Sequence, residues 1–277
     1  MIYANGEKQD MFQKEEDVLA RELEWLLVSQ LPNAFYDLKK GLKKCETIMK
    51  SPEHDDSLGT STLVISSNNS DSLKGYITLD GSDIIKGELQ VKFPNYNRGN
   101  LIKLTIHSKK PYFIEQLVDA QNYITLALNA LECSSQACAK ESASELLGNV
   151  LEYISHSRSA LNYVSQEKLF PYKICDPQMF SSNLPEDLVV QFHVEGSYIV
   201  NSVYALQFHS SLPQQKNGGI LGTHKQPSKV CQYKDKYVSI LGEVSVKSPD
   251  PKLAEVMESL KKLERDCLAW KSKISLF

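Results

Sequence analysis

Apolar residues recur at three- and four-residue steps in four segments of the chain. The segments run from about Lys14 to Met49, from Pro111 to Leu131, from Lys140 to Val164 and from Pro251 to Phe277. This spacing places the apolar residues on one face of an α-helix, so the sequence predicts four amphipathic helices. Each apolar face must be buried against something, and four such helices can bury one another.

The first segment carries an apolar stripe that a proline interrupts. The stripe consists of Leu19, Leu23, Leu26, Ala34, Leu38, Leu42 and Cys45. Pro32 has no backbone N–H to donate, so we expect a kink or a break there. In the second segment Pro111 fits the first turn of a helix. The short polar link from Cys133 to Ala139 predicts that the second and third helices are antiparallel neighbours.

Two other regions carry β-branched runs and alternate apolar with polar residues, which predicts β-strands. Residues 58–108 contain the runs STLVIS, YITL, ELQVKF and LIKLTI, separated by clusters of Asn, Asp, Gly and Pro. Residues 186–248 contain two predicted hairpins, which turn at Glu195-Gly196-Ser197 and at Lys234-Asp235-Lys236.

The order of the predicted elements is helix, strands, two helices, strands, helix. It predicts an α+β protein, with an antiparallel helical bundle containing both termini and a β lobe built from two inserted segments. The predicted bundle is discontinuous and takes residues 10–50, 110–166 and 250–277. The predicted β domain takes residues 56–109 and 167–249.

Composition excludes several classes of function. The 277 residues are 42% hydrophobic and 23% charged, with a formal net charge of −3, which predicts no nucleic-acid partner. No apolar run approaches the roughly 20 residues that span a bilayer, and the polar, acidic N-terminus predicts no signal or transit peptide. The six cysteines form no CxxC pair and are interpreted as reduced thiols, so we expect a cytoplasmic protein.

The stretch NGGILGTHK at residues 217–225 raises the question of a phosphate-binding loop. Its order, Gly218-Gly219-Ile220-Leu221-Gly222, fits neither common nucleotide-binding pattern, and predicted strands rather than a helix follow it. We therefore interpret it as a loop between strands.

Motifs for other chemistry do not occur in the sequence. The histidines form no zinc-ligand motif; His193 and His209, at one predicted hairpin, could approach each other but are interpreted as ordinary strand residues. No nucleophile motif is present either. The sequence therefore predicts no catalytic, cofactor-binding or metal-ligating residue.

Two further patterns have a structural and a functional interpretation. The run Lys39-Lys40-Gly41-Leu42-Lys43-Lys44 can touch anionic lipid, but the negative total charge favours a solvated helix face. The heptad-spaced leucines look like short zippers, yet no basic helix lies upstream as in a DNA-binding zipper. Packing of the stripes within one chain is favoured over pairing between chains.

Several segments together resemble the Rogdi family, once described as leucine-zipper proteins. The resemblance follows chain order and is carried by ELEWLL at 22–27, QLVDAQNY at 116–123, LPEDLVV at 184–190, VYAL at 203–206 and WKSKISLF at 270–277. It implies a two-lobed protein, with a helical bundle containing both termini and a β lobe.

The resemblance also implies membership of a RAVE-type complex, the regulator of vacuolar and endosomal ATPase assembly. In that complex a large β-propeller-containing subunit (DMX-like, or rabconnectin) carries the Rogdi-like subunit. Together they promote assembly of the soluble V-ATPase sector with its membrane sector and so support acidification. The expected protein is a non-enzymatic cytoplasmic adaptor without a cofactor, at most peripherally recruited to vacuole or endosome membranes.

An adaptor needs contact surface, and exposed aromatic residues are common anchors at interfaces. The candidate partner-binding residues in the β lobe are Tyr198, Tyr204, Phe208, Tyr233 and Tyr237. Strand alternation turns several of them toward a core instead. Two alternatives stay open: a self-associating helical scaffold in another trafficking or signalling complex, and an enzyme that uses the Gly218-Gly219 loop.

Overall fold

A computed structural model describes residues 3–50, 60–67, 72–133, 139–212 and 229–277. Within them the protein is a mixed α+β structure with long helices and two antiparallel sheets. The helices are α1 (Tyr3–Trp25), α2 (Leu31–Met49), α3 (Glu115–Glu132), α4 (Lys140–Asn162) and α5 (Pro251–Ser275). The glycine-rich stretch at 217–225 and residues 134–138 of the predicted link lie outside the described residues.

The interruption expected at Pro32 is a change of helix type. A single π-helical turn, Leu26–Gln30, joins α1 to α2, and the Leu31 N–H donates to the Leu26 carbonyl five residues back. Pro32 follows at the second position of α2, directly after this π-helical turn. The chain therefore stays helical on both sides of the proline.

The first sheet contains the strands β1 (Ser61–Ser66), β2 (Leu73–Asp80), β3 (Asp83–Val91), β4 (Ile102–Thr105) and β5 (Tyr112–Phe113). Its order is β1-β2-β3-β4, and β5 also pairs with β3. The expectation that Pro111 opens a helix is wrong. Tyr112 and Phe113 pair instead with Ile84 and Asp83, so the helix begins only at Glu115.

The second sheet confirms both predicted hairpins. Its strands are β6 (Leu188–Glu195), β7 (Tyr198–His209), β8 (Val230–Tyr233) and β9 (Lys236–Pro249), in the order β6-β7-β9-β8. Gly196 turns the first hairpin with φ of 64°. Lys234 and Asp235 turn the second with φ of 50° and 60°, the pair of positive φ values that a tight two-residue turn requires.

Contacts between Cα atoms divide the chain into two compact units. One comprises Met1–Ile48, Asp119–Ser159 and Glu255–Phe277, and the other comprises Met49–Val118 and Ala160–Ala254. Within the second unit both sheets are present and touch. The Ser248 hydroxyl of β9 donates to the Val64 carbonyl of β1 at 2.7 Å, and the ring of Phe93 lies against Gly242.

Helices of the first unit contact one another through buried apolar stripes and polar links. Leu38, Leu42, Leu147, Val150 and Leu260 are 2% exposed or less. The Ser157 hydroxyl of α4 donates to the Ala120 carbonyl of α3 at 3.0 Å. Arg158 of α4 pairs with Glu264 of α5. These contacts bring α3, α4 and α5 together.

Lysines of the basic run after Tyr36 have carboxylate partners. Lys39 pairs with Glu132 at 3.0 Å, Lys43 with Glu46 at 2.6 Å and Lys44 with Glu255 at 2.6 Å. Because these charges are compensated within the protein, the run behaves as a solvated helix face. The structure therefore favours that interpretation over a lipid-binding patch.

The predicted burial of the first stripe is wrong in its N-terminal part. Ala34, Leu38, Leu42 and Cys45 are buried, but Leu19 is 49% exposed. From Gln13 to Trp25 every residue is exposed except Leu23, which is half-buried. Helical periodicity identifies the apolar face correctly, but it does not report whether another element reaches that face.

Candidate partner-binding surface

The five candidate aromatic residues are distributed over both faces of the β6–β9 sheet. Because successive side chains of a strand point to opposite faces, Tyr198, Tyr204 and Phe208 share one face of β7. The register joins Phe208 to Val238 and then to Cys231, so Tyr233 lies on that face too. Tyr237 pairs with His209 and lies on the opposite face.

Among the candidate anchors, Tyr233 is a buried residue of the core. It is 2% exposed and packs in a cluster with Val189, Leu206 and Val238. Its hydroxyl oxygen accepts a hydrogen bond from the Cys175 N–H at 3.2 Å. Burial raises the pKa of the phenol, which keeps it neutral. A ring held in this way cannot reach a partner unless the sheet opens.

Tyr204 and Phe208 are half-buried beside the same cluster. Phe170, from the segment before β6, stacks on Tyr204 with ring centroids 4.6 Å apart and an interplanar angle of 26°. The Lys236 ammonium lies 5.6 Å from the centroid of the Phe208 ring. Each ring therefore already has a neighbour within the chain, which leaves only part of its surface for a partner.

Tyr198 and Tyr237 are exposed at 42% and 39% and remain available. They do not form one patch. Tyr198 pairs with Pro249 at one end of the sheet, and Tyr237 pairs with His209 at the other. The 12 residues of β7 separate these ends by roughly 40 Å at about 3.4 Å per residue. A partner that used both would have to follow the whole length of the strand.

The two histidines of the first hairpin do not approach each other. His193 pairs with Val200, near the turn, whereas His209 ends β7 and lies 2.8 Å from the Ser239 hydroxyl. The Nε2 of His193 lies 3.2 Å from Glu195, which also pairs with Lys247. Burial lowers the pKa of His193, and the Lys247 hydrogen bond lowers the pKa of Glu195.

The described ranges offer no cluster of metal ligands, and two of the buried thiols stay protonated. Groups of three or more His, Cys, Asp or Glu residues that could hold a metal ion are missing from the ranges that the structure covers. Burial raises the pKa of Cys45 to about 11 and that of Cys267 to about 12, so both thiols stay protonated at neutral pH.

Gln116, which sequence reasoning did not select, fixes the edge of this sheet. Its side chain accepts from the Val194 N–H at 2.7 Å and donates to the Val194 carbonyl at 3.0 Å. It also donates to the Ala160 carbonyl in the last turn of α4 at 2.8 Å. The signal was a polar residue four positions before Ala120, on the apolar face of the predicted helix, where a helix buries its side chain.

In the part of the chain that the structure covers, every helix is too short or too polar to cross a bilayer.

The long helices and the two antiparallel sheets define a mixed α+β protein. The chain belongs to the Rogdi family, because the family model described as "Rogdi leucine zipper containing protein" matches residues 22–236. The match covers the last four residues of α1, all of α2, α3 and α4, and both sheets up to the start of β9. The resemblance noted from the sequence is thereby confirmed.

Individual relatives include two that carry the same family name and one from yeast with a different name. The chain is 24% identical to "Protein rogdi homolog" of Mus musculus over 205 residues, which is 72% of this chain and 70% of the relative. It is 26% identical to "Protein rogdi" of Drosophila melanogaster over 193 residues, 67% of this chain and 70% of the relative. It is also 26% identical to "Regulator of V-ATPase in vacuolar membrane protein 2" of Saccharomyces cerevisiae over 172 residues, 59% of this chain and 47% of the yeast protein.

Proposed function

We propose that this protein is a non-enzymatic adaptor that regulates the V-ATPase. In this proposal it belongs to a RAVE-type complex, binds a large β-propeller-containing subunit of the DMX-like or rabconnectin type, and contacts soluble-sector V-ATPase subunits. It promotes assembly of the soluble sector with the membrane sector and thereby supports acidification of vacuoles and endosomes. It acts in the cytoplasm and is peripherally recruited to those membranes.

The observation that carries the proposal is the yeast relative. The name of that protein describes a regulator of V-ATPase in the vacuolar membrane, and the protein aligns with 59% of this chain. Family membership supports a shared architecture over residues 22–236. An adaptor needs no chemistry of its own, because holding two large bodies together raises their effective concentration.

The proposed organisation has two domains. We take the helical residues, with both termini, as one antiparallel bundle domain and the two sheets as the other domain. On the sheet domain, exposed Tyr198 and Tyr237 are the proposed anchors among the five candidates. Stable attachment requires an interface of at least about 1,000 Å², so each anchor must be accompanied by neighbouring surface.

Affinity purification tests the proposal directly. The full chain is tagged, isolated gently from cytosol, and its associated proteins are identified by mass spectrometry. A large β-propeller protein together with soluble-sector V-ATPase subunits is the expected result. Recovery of the chain alone, or only with further copies of itself, would contradict the adaptor proposal and favour the self-associating scaffold.

Organelle pH provides the second readout. Deletion of the protein should raise the pH of vacuoles or endosomes while the abundance of V-ATPase subunits stays unchanged. Tyr198→Ala and Tyr237→Ala, each at an exposed site, should weaken subunit recovery without destabilising the fold. Buried Tyr233 is unsuitable as an interface probe because its replacement would disturb the core. Normal organelle pH in the deletion strain would count against the proposal.

A further inference from the structure

The exposed part of α1 has an apolar face, although its side chains are in contact with solvent. From Gln13 to Trp25 no residue is buried, yet Val18 is 50%, Leu19 49% and Trp25 56% exposed. Leu19, Leu23 and Leu26 follow one another at steps of four and three residues, and Leu26 is buried. The apolar stripe that packs inside the first unit therefore continues outward along α1, where no described element covers it.

The face has an acidic line between two apolar lines. At about 100° per residue, Val18 and Trp25 lie on one line along the helix, and Leu19 and Leu26 lie on a second. Glu15 and Glu22, seven residues apart, fall between them. Glu22 has no ion-pair partner among the described residues. A carboxylate inside an apolar face tolerates burial only when a cation comes with the covering group.

We propose that this face of α1, defined by Val18, Leu19, Glu22 and Trp25, docks an amphipathic helix of another protein that carries Lys or Arg beside its apolar seam. The partner's apolar residues cover the two lines, and its cation meets Glu22. A helix that is solvated on all sides is marginally stable in water, so the covering helix would also stabilise α1.

Charge argues against a second copy of this chain as the occupant. Residues 13–25 contain five acidic and two basic side chains: Glu15, Glu16, Asp17, Glu22 and Glu24 against Lys14 and Arg21. A homodimer would place these acidic segments against each other in either orientation. A partner of opposite charge gains attraction where a second copy meets repulsion.

The fluorescence of Trp25 reports occupancy of this face. The chain has two tryptophans, so Trp270→Phe leaves Trp25 as the only tryptophan in the full-length protein, and its emission can be excited selectively. The probes are two synthetic helical peptides with the same leucine seam, one flanked by lysines and the other by glutamates. The lysine peptide should shift the Trp25 emission to shorter wavelength, because the indole leaves water, and added salt should weaken the effect.

Two charge reversals give a matched control. Glu22→Lys changes the docking face, whereas Glu24→Lys makes the same change in charge on the opposite side of α1. Glu22→Lys should weaken binding of the lysine peptide at least about tenfold, and Glu24→Lys should weaken it far less. Equal binding of both peptides, equal effects of both reversals, or no emission shift would overturn the proposal. An emission shift that depends on protein concentration alone would identify a second copy and overturn it too.

Photo-cross-linking in cells identifies the natural occupant. A benzophenone amino acid is placed at Trp25 of the full chain, with placement at Glu24 as the control, and the joined segment is sequenced by mass spectrometry. A basic amphipathic segment of another protein, joined from position 25 only, is the expected result. A cross-link from position 25 to a second copy of the chain or to an acidic segment overturns the inference, and so does the absence of any cross-link.

This inference deepens the proposed adaptor function, but the two can fail separately. If affinity purification yields no V-ATPase subunits while position 25 still joins a basic helix, the V-ATPase assignment fails and the docking face stands. If the subunits are recovered and position 25 joins nothing, the docking face fails and the adaptor proposal stands.

Discussion

Replacement of Gln116 by methionine tests how the edge of the second sheet is held. Methionine has a similar length and fits the 5% exposed site, but it offers neither the donor nor the acceptor. The Val194 N–H loses its acceptor, and the Val194 and Ala160 carbonyls lose their donor. The Tyr163 carbonyl, 3.3 Å from the same amide nitrogen, loses its longer contact.

The expected cost follows from the groups that are left unpaired. A buried donor or acceptor without a partner costs about 1–3 kcal/mol. The N–H of Val194 in β6 is such a donor, because it is buried against the side-chain amide of Gln116. The carbonyls lose less, because a second lone pair or water can serve them in part. The free energy of unfolding should therefore fall by about 2–4 kcal/mol. Gln116→Glu should cost still more at neutral pH, because a carboxylate would face three carbonyl oxygens.

Urea unfolding followed by far-ultraviolet circular dichroism measures this loss. Gln90→Met, at an exposed position of β3, is the control and should change the free energy of unfolding by less than about 0.5 kcal/mol. Hydrogen exchange of the Val194 amide gives a local readout and should accelerate only in the Gln116 variants. A loss in the free energy of unfolding below about 1 kcal/mol, or a loss no larger than that of the control, would refute the argument that the Gln116 amide holds the sheet edge.

Three further changes test other parts of the sheet unit. Burial lowers the pKa of His193, so the unfolded state binds more protons and the free energy of unfolding should decline as the pH falls below about 6.5. In urea titrations at a series of pH values, His193→Gln should flatten this decline, and an unchanged slope would contradict the argument. Gly242→Ala would place a Cβ 2.6 Å from the Phe93 ring and should cost about 1–3 kcal/mol, partly recovered by Phe93→Leu; additive effects would exclude the clash. Asp250 caps α5, because its side chain accepts hydrogen bonds from the Lys252 and Leu253 N–H groups. Asp250→Ala should therefore lower the free energy of unfolding by about 1 kcal/mol, and Asp250→Asn by much less. Thermal unfolding that ranks the two variants the other way would refute the cap.

Local signals in the sequence were sufficient for most elements of the fold. The second hairpin follows from Lys234-Asp235, because few residue pairs other than those with Gly, Asn or Asp adopt positive φ in a two-residue turn. The buried faces of α3 and α4 follow from helical spacing, as Ile124 and Val150 confirm with 0% exposure. These features depend on a few neighbouring residues, so periodicity and turn chemistry suffice.

Features that depend on distant contacts were missed. Pro111 looks like a helix start, but pairing of Tyr112 with Ile84 in β3 overrides that preference. Tyr233 and Tyr237 are four residues apart in one hairpin, and only the register and the covering segment with Phe170 decide which is buried. The exposure of Leu19 depends on which elements pack against α1. The spacing of apolar residues along one helix carries no information about those contacts.

The sealed edge of β6 restricts how the protein can bind others. An edge strand offers unpaired backbone groups to an incoming strand. Here the Cys175 thiol donates to the Val190 carbonyl at 3.2 Å, the Phe192 N–H donates to the Tyr112 hydroxyl at 3.3 Å, and Gln116 takes both groups of Val194. Strand addition at β6 would have to displace all three side chains. At this edge, partner recognition must therefore use side chains and not backbone pairing, and opening the edge in Gln116→Met should promote self-association.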